Sequence, residues 1–337
     1  MIYPSNTLTS NNLLGMTQLS TDDIASIFHT AAHMKKSPKD HRAALDGKAV
    51  MLLFEKPSLR TRVSFEVGGA KLGASVVYMD HGSSRIGERE AVKDYARNLE
   101  RWCDLIVART FSHTTIEELA RHTDIPVING LSDLEHPCQA LADFFTLSEV
   151  FGELKGMKIA YIGDGNNVCH SLMLGAAKLG MDLMIIAPEG YEPAPEIVSH
   201  SLRLARATGA ELTITDEIEA VHGRRAVYTD TWVSMGDERE AGPRRAAFAE
   251  HQVNEVVMAM AAPDAVFMHC LPAHRGAEVT DAVIDSPQSV VYDQAENRMH
   301  VQNAVMAHLL GAASLAGAAE TYENVEVKSA KRRVEAA

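Results

Sequence analysis

Short apolar runs rich in β-branched residues recur along this chain, and the intervals between them are mostly amphipathic stretches of helical length. AVMLLF (49–54), VVYM (76–79), LIVA (105–108) and PVI (126–128) form a first series. KIAYI (158–162), LMIIA (183–187), LTI (212–214), AVY (226–228), VFM (266–268) and VVY (290–292) form a second. Strands that alternate with helices return through crossovers, so the pattern predicts parallel sheets covered by helices. At 337 residues the chain exceeds the size at which one core keeps growing, and two series predict two doubly wound α/β domains. The helix-like PCQALADFFTLSEV closes the first series and Lys158 opens the second, which puts the boundary near residue 150. The expected domains are therefore 1–150 and 151–315, followed by a charged, apolar-poor tail over 316–337. A terminal helix is expected from about Ala295 to Ala316, in a position to return to the first domain.

Composition narrows the function classes. With 46% hydrophobic and 23% charged residues and no apolar run of bilayer length, the chain reads as a soluble globular protein with no membrane partner. No Lys or Arg precedes Lys35, so a basic secretion signal is missing and a cytoplasmic location is expected. Cys103, Cys138, Cys169 and Cys270 are widely spaced, which predicts free thiols rather than disulfides or a zinc knot. A formal charge of -13 repels nucleic acid at long range, so an anionic ligand requires a local cluster of cations.

One such cluster follows the run 49–54. In EKPSLRTRVSFEVGGAKLG, Ser58 is placed to cap a helix whose apolar positions include Val63, Phe65, Val67 and Leu72. Free N–H groups, the positive end of the helix dipole, the hydroxyls of Ser58 and Thr61 and the guanidinium groups of Arg60 and Arg62 then converge on a volume suited to phosphate. In the second series the first strand runs into Gly163-Asp164-Gly165-Asn166-Asn167, which lacks the third glycine of a dinucleotide fingerprint because Val168 stands there. Neither a nicotinamide cofactor nor any other cofactor is expected. His269 beside Cys270 suggests a metal, but adjacent strand residues point to opposite faces and no third ligand is spaced nearby, so no metal is expected either. Ser58, Arg109, His136, Asn167, Asp230 and Cys270 all fall just beyond predicted strand ends, three in each domain, which predicts an active site in the cleft between the domains.

The ordered motifs resemble the aspartate and ornithine carbamoyltransferase family. Ser58-Leu59-Arg60-Thr61-Arg62 is similar to its carbamoyl phosphate loop, and His136-Pro137-Cys138-Gln139 to its H-P-x-Q motif. Gly163 to Ser171 is similar to G-D-x-N-N-x-x-x-S, Asp230 to Gly236 to D-x-W-x-S-M-G, and His269-Cys270-Leu271-Pro272 to the family's H-C-L-P segment. The resemblance extends from Asn12-Leu13-Leu14 to the helix after Arg298. It implies that Ser58, Leu59, Arg60, Thr61, Arg62, Arg109, His136, Gln139, Cys270, Leu271 and Arg298 bind carbamoyl phosphate, and that Asn167, Asp230, Ser234 and Met235 bind ornithine. Arg109, His136, Cys270 and Arg298 are the implied catalytic set. The implied reaction gives citrulline and phosphate, a step of arginine metabolism.

Asp230 favours an acceptor with an α-ammonium group, whereas aspartate would need additional cations. Putrescine, which has no carboxylate, is the alternative acceptor. The resemblance also implies a homotrimer, or a multiple of trimers, in which a neighbour's loop reaches the phosphate. Here that loop is Gly82 to Gly87, with Arg85 where many members have Gln or His.

Overall fold

The computed structural model describes residues 8–82, 84–234 and 238–313, and within them the alternation resolves into two parallel sheets. Of the described residues, 8–145 and 296–313 form one compact unit and 146–295 the other.

The first unit carries β1 (Ala49–Phe54), β2 (Ser75–Asp80), β3 (Leu105–Arg109) and β4 (Val127–Leu131), in the order β2-β1-β3-β4. Its helices are α1 (Thr21–Lys36), α2 (Leu59–Lys71), α3 (Val92–Leu99) and α4 (His113–Arg121), and α5 (Pro137–Phe151) begins in it. β1 and β3 are near-continuous buried runs, as expected of central parallel strands covered on both faces. β2, at the edge, exposes alternate residues. Leu53, Ile106 and Ala108 pack with Ile116 and Leu119 of α4 in one core cluster. Strand order reverses direction between β1 and β3, so the segments following those strands flank the position where such sheets bind ligands.

The second unit carries β5 (Lys158–Ile162), β6 (Asp182–Ile186), β7 (Glu211–Thr215), β8 (Ala226–Thr229) and β9 (Val266–His269), in the order β7-β6-β5-β8-β9. Its helices are α6 (Asn167–Leu179), α7 (Pro195–Thr208), α8 (Ala241–Ala247), α9 (Glu255–Met260) and α10 (Asp281–Ile284). The last helix, α11 (Val291–Leu309), starts in this unit and continues in the first. Ala160, Ile162, Val227 and Phe267 of the sheet pack with Val257 and Val283 of the helices. Here the order reverses between β5 and β8.

One expected strand is not formed. VVY (290–292) contributes only Val290, whose N–H donates to Phe267 O at 3.0 Å next to a single bridge from Ser289 to Phe267. From Val291 the chain is helical. The three residues have strand-like composition, but the helix-forming DQAENRM behind them decides the outcome. No helix among the described residues is long and apolar enough to cross a membrane. The tail 316–337 lies outside the described residues.

Candidate active site

In the first unit the sequence turns from β1 into α2 over only a few residues, and Ser58 caps the helix as expected. Its extended backbone (φ -158°) lets Oγ accept the Thr61 N–H at 3.2 Å. The Ser58 hydroxyl also donates to Thr61 Oγ1 at 3.1 Å. Thr61 is fully buried and is the hub of the cluster. Arg298 Nη2 donates to its hydroxyl at 2.8 Å and Arg109 Nη1 at 3.4 Å. Arg298 Nη1 meanwhile donates to Gln139 Oε1 at 2.8 Å. Two buried guanidinium groups are thus aimed at one helix N-terminus, an arrangement able to bind a compact anion and to stabilise negative charge.

His136 precedes α5 in the same cluster. Burial, followed by the positive charges of Arg298 and Arg109, holds its pKa well below the ordinary histidine value, so the imidazole is neutral. A neutral imidazole donates from one nitrogen only.

The remaining expected donor-site residues are placed differently. Leu59 is exposed, and Arg60 is half-buried in the first turn of α2. Arg62 pairs with Glu66 at 3.0 Å and lies 3.8 Å over the Tyr78 ring. Arg85 lies 4.6 Å over the Phe111 ring, and its N–H donates to Glu88 at 3.0 Å. Glu55 went unnoticed in the sequence. Buried directly after β1, it accepts the N–H of Ile86 at 2.7 Å and of Phe111 at 2.8 Å, tying the Arg85 loop to the segment after Arg109. An acid after a strand otherwise reads as an ordinary turn residue.

In the second unit β5 ends in the glycine-rich turn. A Cβ at Gly165 would run into the backbone of Glu192 and Pro193, so this glycine serves close packing. Asn166 is the N-cap of α6, its Oδ1 accepting the N–H groups of Val168 at 2.9 Å and Cys169 at 3.2 Å. Its Nδ2 donates to Asp230 Oδ2 at 2.9 Å. Asn167, the expected ligand, is the half-buried first residue of α6. The sequence signal for Asn166 was its capping position; its second bond became visible only in three dimensions.

Asp230, just past β8, also accepts the Thr231 N–H at 2.8 Å, and the Cys270 thiol donates to its Oδ1 at 2.9 Å. Arg244 braces the segment that follows, donating to Asp164 at 2.9 Å and to the Trp232 carbonyl at 3.2 Å. Ser234 is half-buried, while Met235 and Gly236 lie outside the described residues. None of the four cysteines forms a disulfide.

The expectation that no third ligand stands near His269 and Cys270 is corrected. Asp230, His269 and Cys270 each offer a ligand atom within 4.8 Å of the others, among the described residues. The parallel register pairs Thr229 with His269, so the residues after them, 40 apart in sequence, become neighbours. Both His269 nitrogens are engaged: Nδ1 accepts the Leu271 N–H at 2.8 Å, and Nε2 lies 3.1 Å from Glu278 Oε1. Because Nδ1 accepts, Nε2 carries the proton and donates to Glu278. The first of these bonds holds Leu271 in the left-handed region (φ 58°), a conformation that a β-carbon disfavours.

Comparison with known proteins identifies both halves of the chain. Residues 11–149 match the family model for the aspartate/ornithine carbamoyltransferase carbamoyl-P binding domain, and residues 155–309 match that for the Asp/Orn binding domain. The chain is 50% identical over 298 residues to the ornithine carbamoyltransferase of Shewanella oneidensis, covering 88% of this chain and 99% of that one. The solved structure of ornithine carbamoyltransferase from Pyrococcus furiosus superposes with a TM-score of 0.87 at 45% identity, covering 92% of this chain and 99% of that chain. The Thermus thermophilus enzyme of the same name superposes with a TM-score of 0.81 at 42% identity, over 89% of this chain and 99% of that one. Two matched domains in the expected order and near-complete coverage of the relatives establish that the chain belongs to the aspartate/ornithine carbamoyltransferase family.

Proposed function

We propose that the protein transfers the carbamoyl group of carbamoyl phosphate to the δ-amine of L-ornithine, giving L-citrulline and phosphate. The observation that carries the reading is the convergence of Arg109 and Arg298 on the Thr61 hydroxyl at the N-terminus of α2. The acceptor is read from the second unit, where Asp230 offers a carboxylate for an α-ammonium group, and from relatives that carry the name ornithine carbamoyltransferase. Ser58, Leu59, Arg60 and Thr61 hold the phosphate, with Asn167, Ser234 and Met235 joining Asp230 at the amino acid. Arg62 takes part by leaving Glu66.

An amine with a pKa near that of lysine, ~10.4, is neutral in only about one molecule in 2,500 at pH 7. The site therefore has to favour the uncharged nucleophile. In the proposed reaction the neutral δ-amine attacks the carbamoyl carbon, and its lone pair forms the new C–N bond. The carbonyl electrons move to oxygen, giving a tetrahedral intermediate. Arg109, Arg298 and neutral His136 stabilise that oxyanion, while Arg60 offsets charge on the leaving phosphate. The oxyanion electrons then re-form the carbonyl as the C–O bond to phosphate breaks, and the proton lost by the amine passes to the departing phosphate. Cys270 orients the amine and forms no covalent bond, because the donor is already activated, and Leu271 contacts the carbamoyl phosphate. The reading requires the donor half and the acceptor half to meet on one carbamoyl carbon.

Assembly as a homotrimer in the cytoplasm belongs to the same proposal. Leu59, Val63 and Val67 form one stripe of α2 that is exposed and apolar, suited to a second copy of the chain. Light scattering is expected to give three chain masses, or a multiple of three.

Initial rates with ornithine, putrescine, aspartate and N-acetylornithine as acceptors test the function, with the ureido product scored. Ornithine is expected to exceed the others by orders of magnitude, and a preference for putrescine would overturn the acceptor assignment.

A further inference from the structure

One helical turn beyond Gln139, on the same face of α5, stands a buried acid that the proposed mechanism does not use. Asp143 is fully buried, and its Oδ1 accepts the side-chain N–H of Gln139 at 2.8 Å. On its other side Gln139 Oε1 accepts Arg298 Nη1 at 2.8 Å, and Arg298 Nη2 donates to Thr61. A guanidinium only donates, and a carboxylate only accepts. Between them one orientation remains for the Gln139 amide, with nitrogen to Asp143 and oxygen to Arg298. The amide oxygen has a second lone pair, so it can serve Arg298 and still accept one further hydrogen bond.

We propose that Asp143 is a positioning residue that makes the donor site selective for a carbamoyl group over an acyl group of the same shape, by fixing the Gln139 carbonyl oxygen toward the ligand. The inference rests on the donor reading of the previous section. Carbamoyl phosphate and acetyl phosphate differ at one position, an NH2 against a CH3. A fixed amide oxygen accepts from the NH2 and is left desolvated without a partner by the CH3, which is how a buried polar group rejects an isostere. An amide free to rotate would present a donor or an acceptor and lose the distinction.

The test compares the Michaelis constant for carbamoyl phosphate with the inhibition constants of acetyl phosphate and inorganic phosphate, in the wild type and in Asp143→Asn. Asparagine presents either a donor or an acceptor to Gln139, so the orientation is no longer dictated. The preference for carbamoyl over acetyl phosphate is expected to fall about tenfold, with inorganic phosphate inhibition and the ornithine Michaelis constant unchanged. Asp143→Glu, which still only accepts, is expected to retain more of the preference than Asp143→Asn. If Asp143→Asn does not fold, Asp143→Ser carries the same comparison. An unchanged preference, or a loss of equal size for all three phosphate ligands, would refute the role. The donor reading fails separately, and before any variant is made, if the wild type binds carbamoyl phosphate no better than inorganic phosphate.

Discussion

Thr61 is a small side chain on which two guanidinium groups and a serine converge, and its replacement measures what the cluster does. Thr61→Val is close in shape but leaves the buried Arg298 donor without its acceptor, at a cost of about 1–3 kcal/mol. The expected result is a drop of tenfold or more in kcat/KM for carbamoyl phosphate, read by steady-state kinetics beside a thermal melt. Asn166 allows a cleaner separation of fold from site. Asn166→Ser retains a capping oxygen for α6 and loses the bond to Asp230. The ornithine Michaelis constant is expected to rise several-fold while that for carbamoyl phosphate holds, and an unchanged ornithine constant would reduce Asn166 to a cap. The thiols divide by burial. Cys138 is pushed up to about 12 by burial, and burial also raises Cys169. Both should resist an aromatic disulfide reagent in the native protein and react once it is unfolded, so that at most two thiols titrate natively.

At the scale of elements, two serine caps that each accept the N–H three residues on have different consequences. Ser20 caps α1 in a capping box with Asp23, remote in sequence from every motif of the donor site. Ser20→Ala should lower stability by about 1 kcal/mol and leave the kinetics alone. Ser58→Ala should lower both, because that cap also donates to Thr61. Helix α2 meets α11 at Gly68, where a Cβ would overlap the side-chain oxygen of Asn303 and crowd Met299. Gly68→Ala therefore pushes at the helix that carries Arg298. A loss of about 1–3 kcal/mol in stability, with weaker carbamoyl phosphate binding, is expected from chemical denaturation and kinetics.

Across the whole molecule, burial holds His29, His41, His113, His136, His200, His251 and His300 below the ordinary histidine pKa. Each is neutral in the folded chain at a pH where the unfolded chain has already taken up a proton. Stability from these groups is thus complete above their unfolded pKa of about 6.5 and is lost as pH falls from there through the folded values. The melting temperature should drop steadily between about pH 7 and pH 5, and His136→Gln should flatten that slope by up to one proton. A melting temperature constant over this range would contradict the assigned burial effects.

The sequence by itself determined the local features: the nine strands that the described residues form in two parallel sheets, the cap at Ser58, and the residue types at the strand ends, because strand periodicity and capping act within a few residues. It misjudged 290–292, where composition favoured a strand and the helix behind it prevailed. Tertiary structure decided what those residues do. Arg298 reaches Thr61 across 237 residues, Asn166 reaches Asp230 across 64, and the register of β8 with β9 brings Asp230 to Cys270. No local pattern encodes such pairs, since each depends on two surfaces that are buried together only after the sheets form. The same holds for Arg62, whose ion pair with Glu66 and contact with the Tyr78 ring are visible only in the fold.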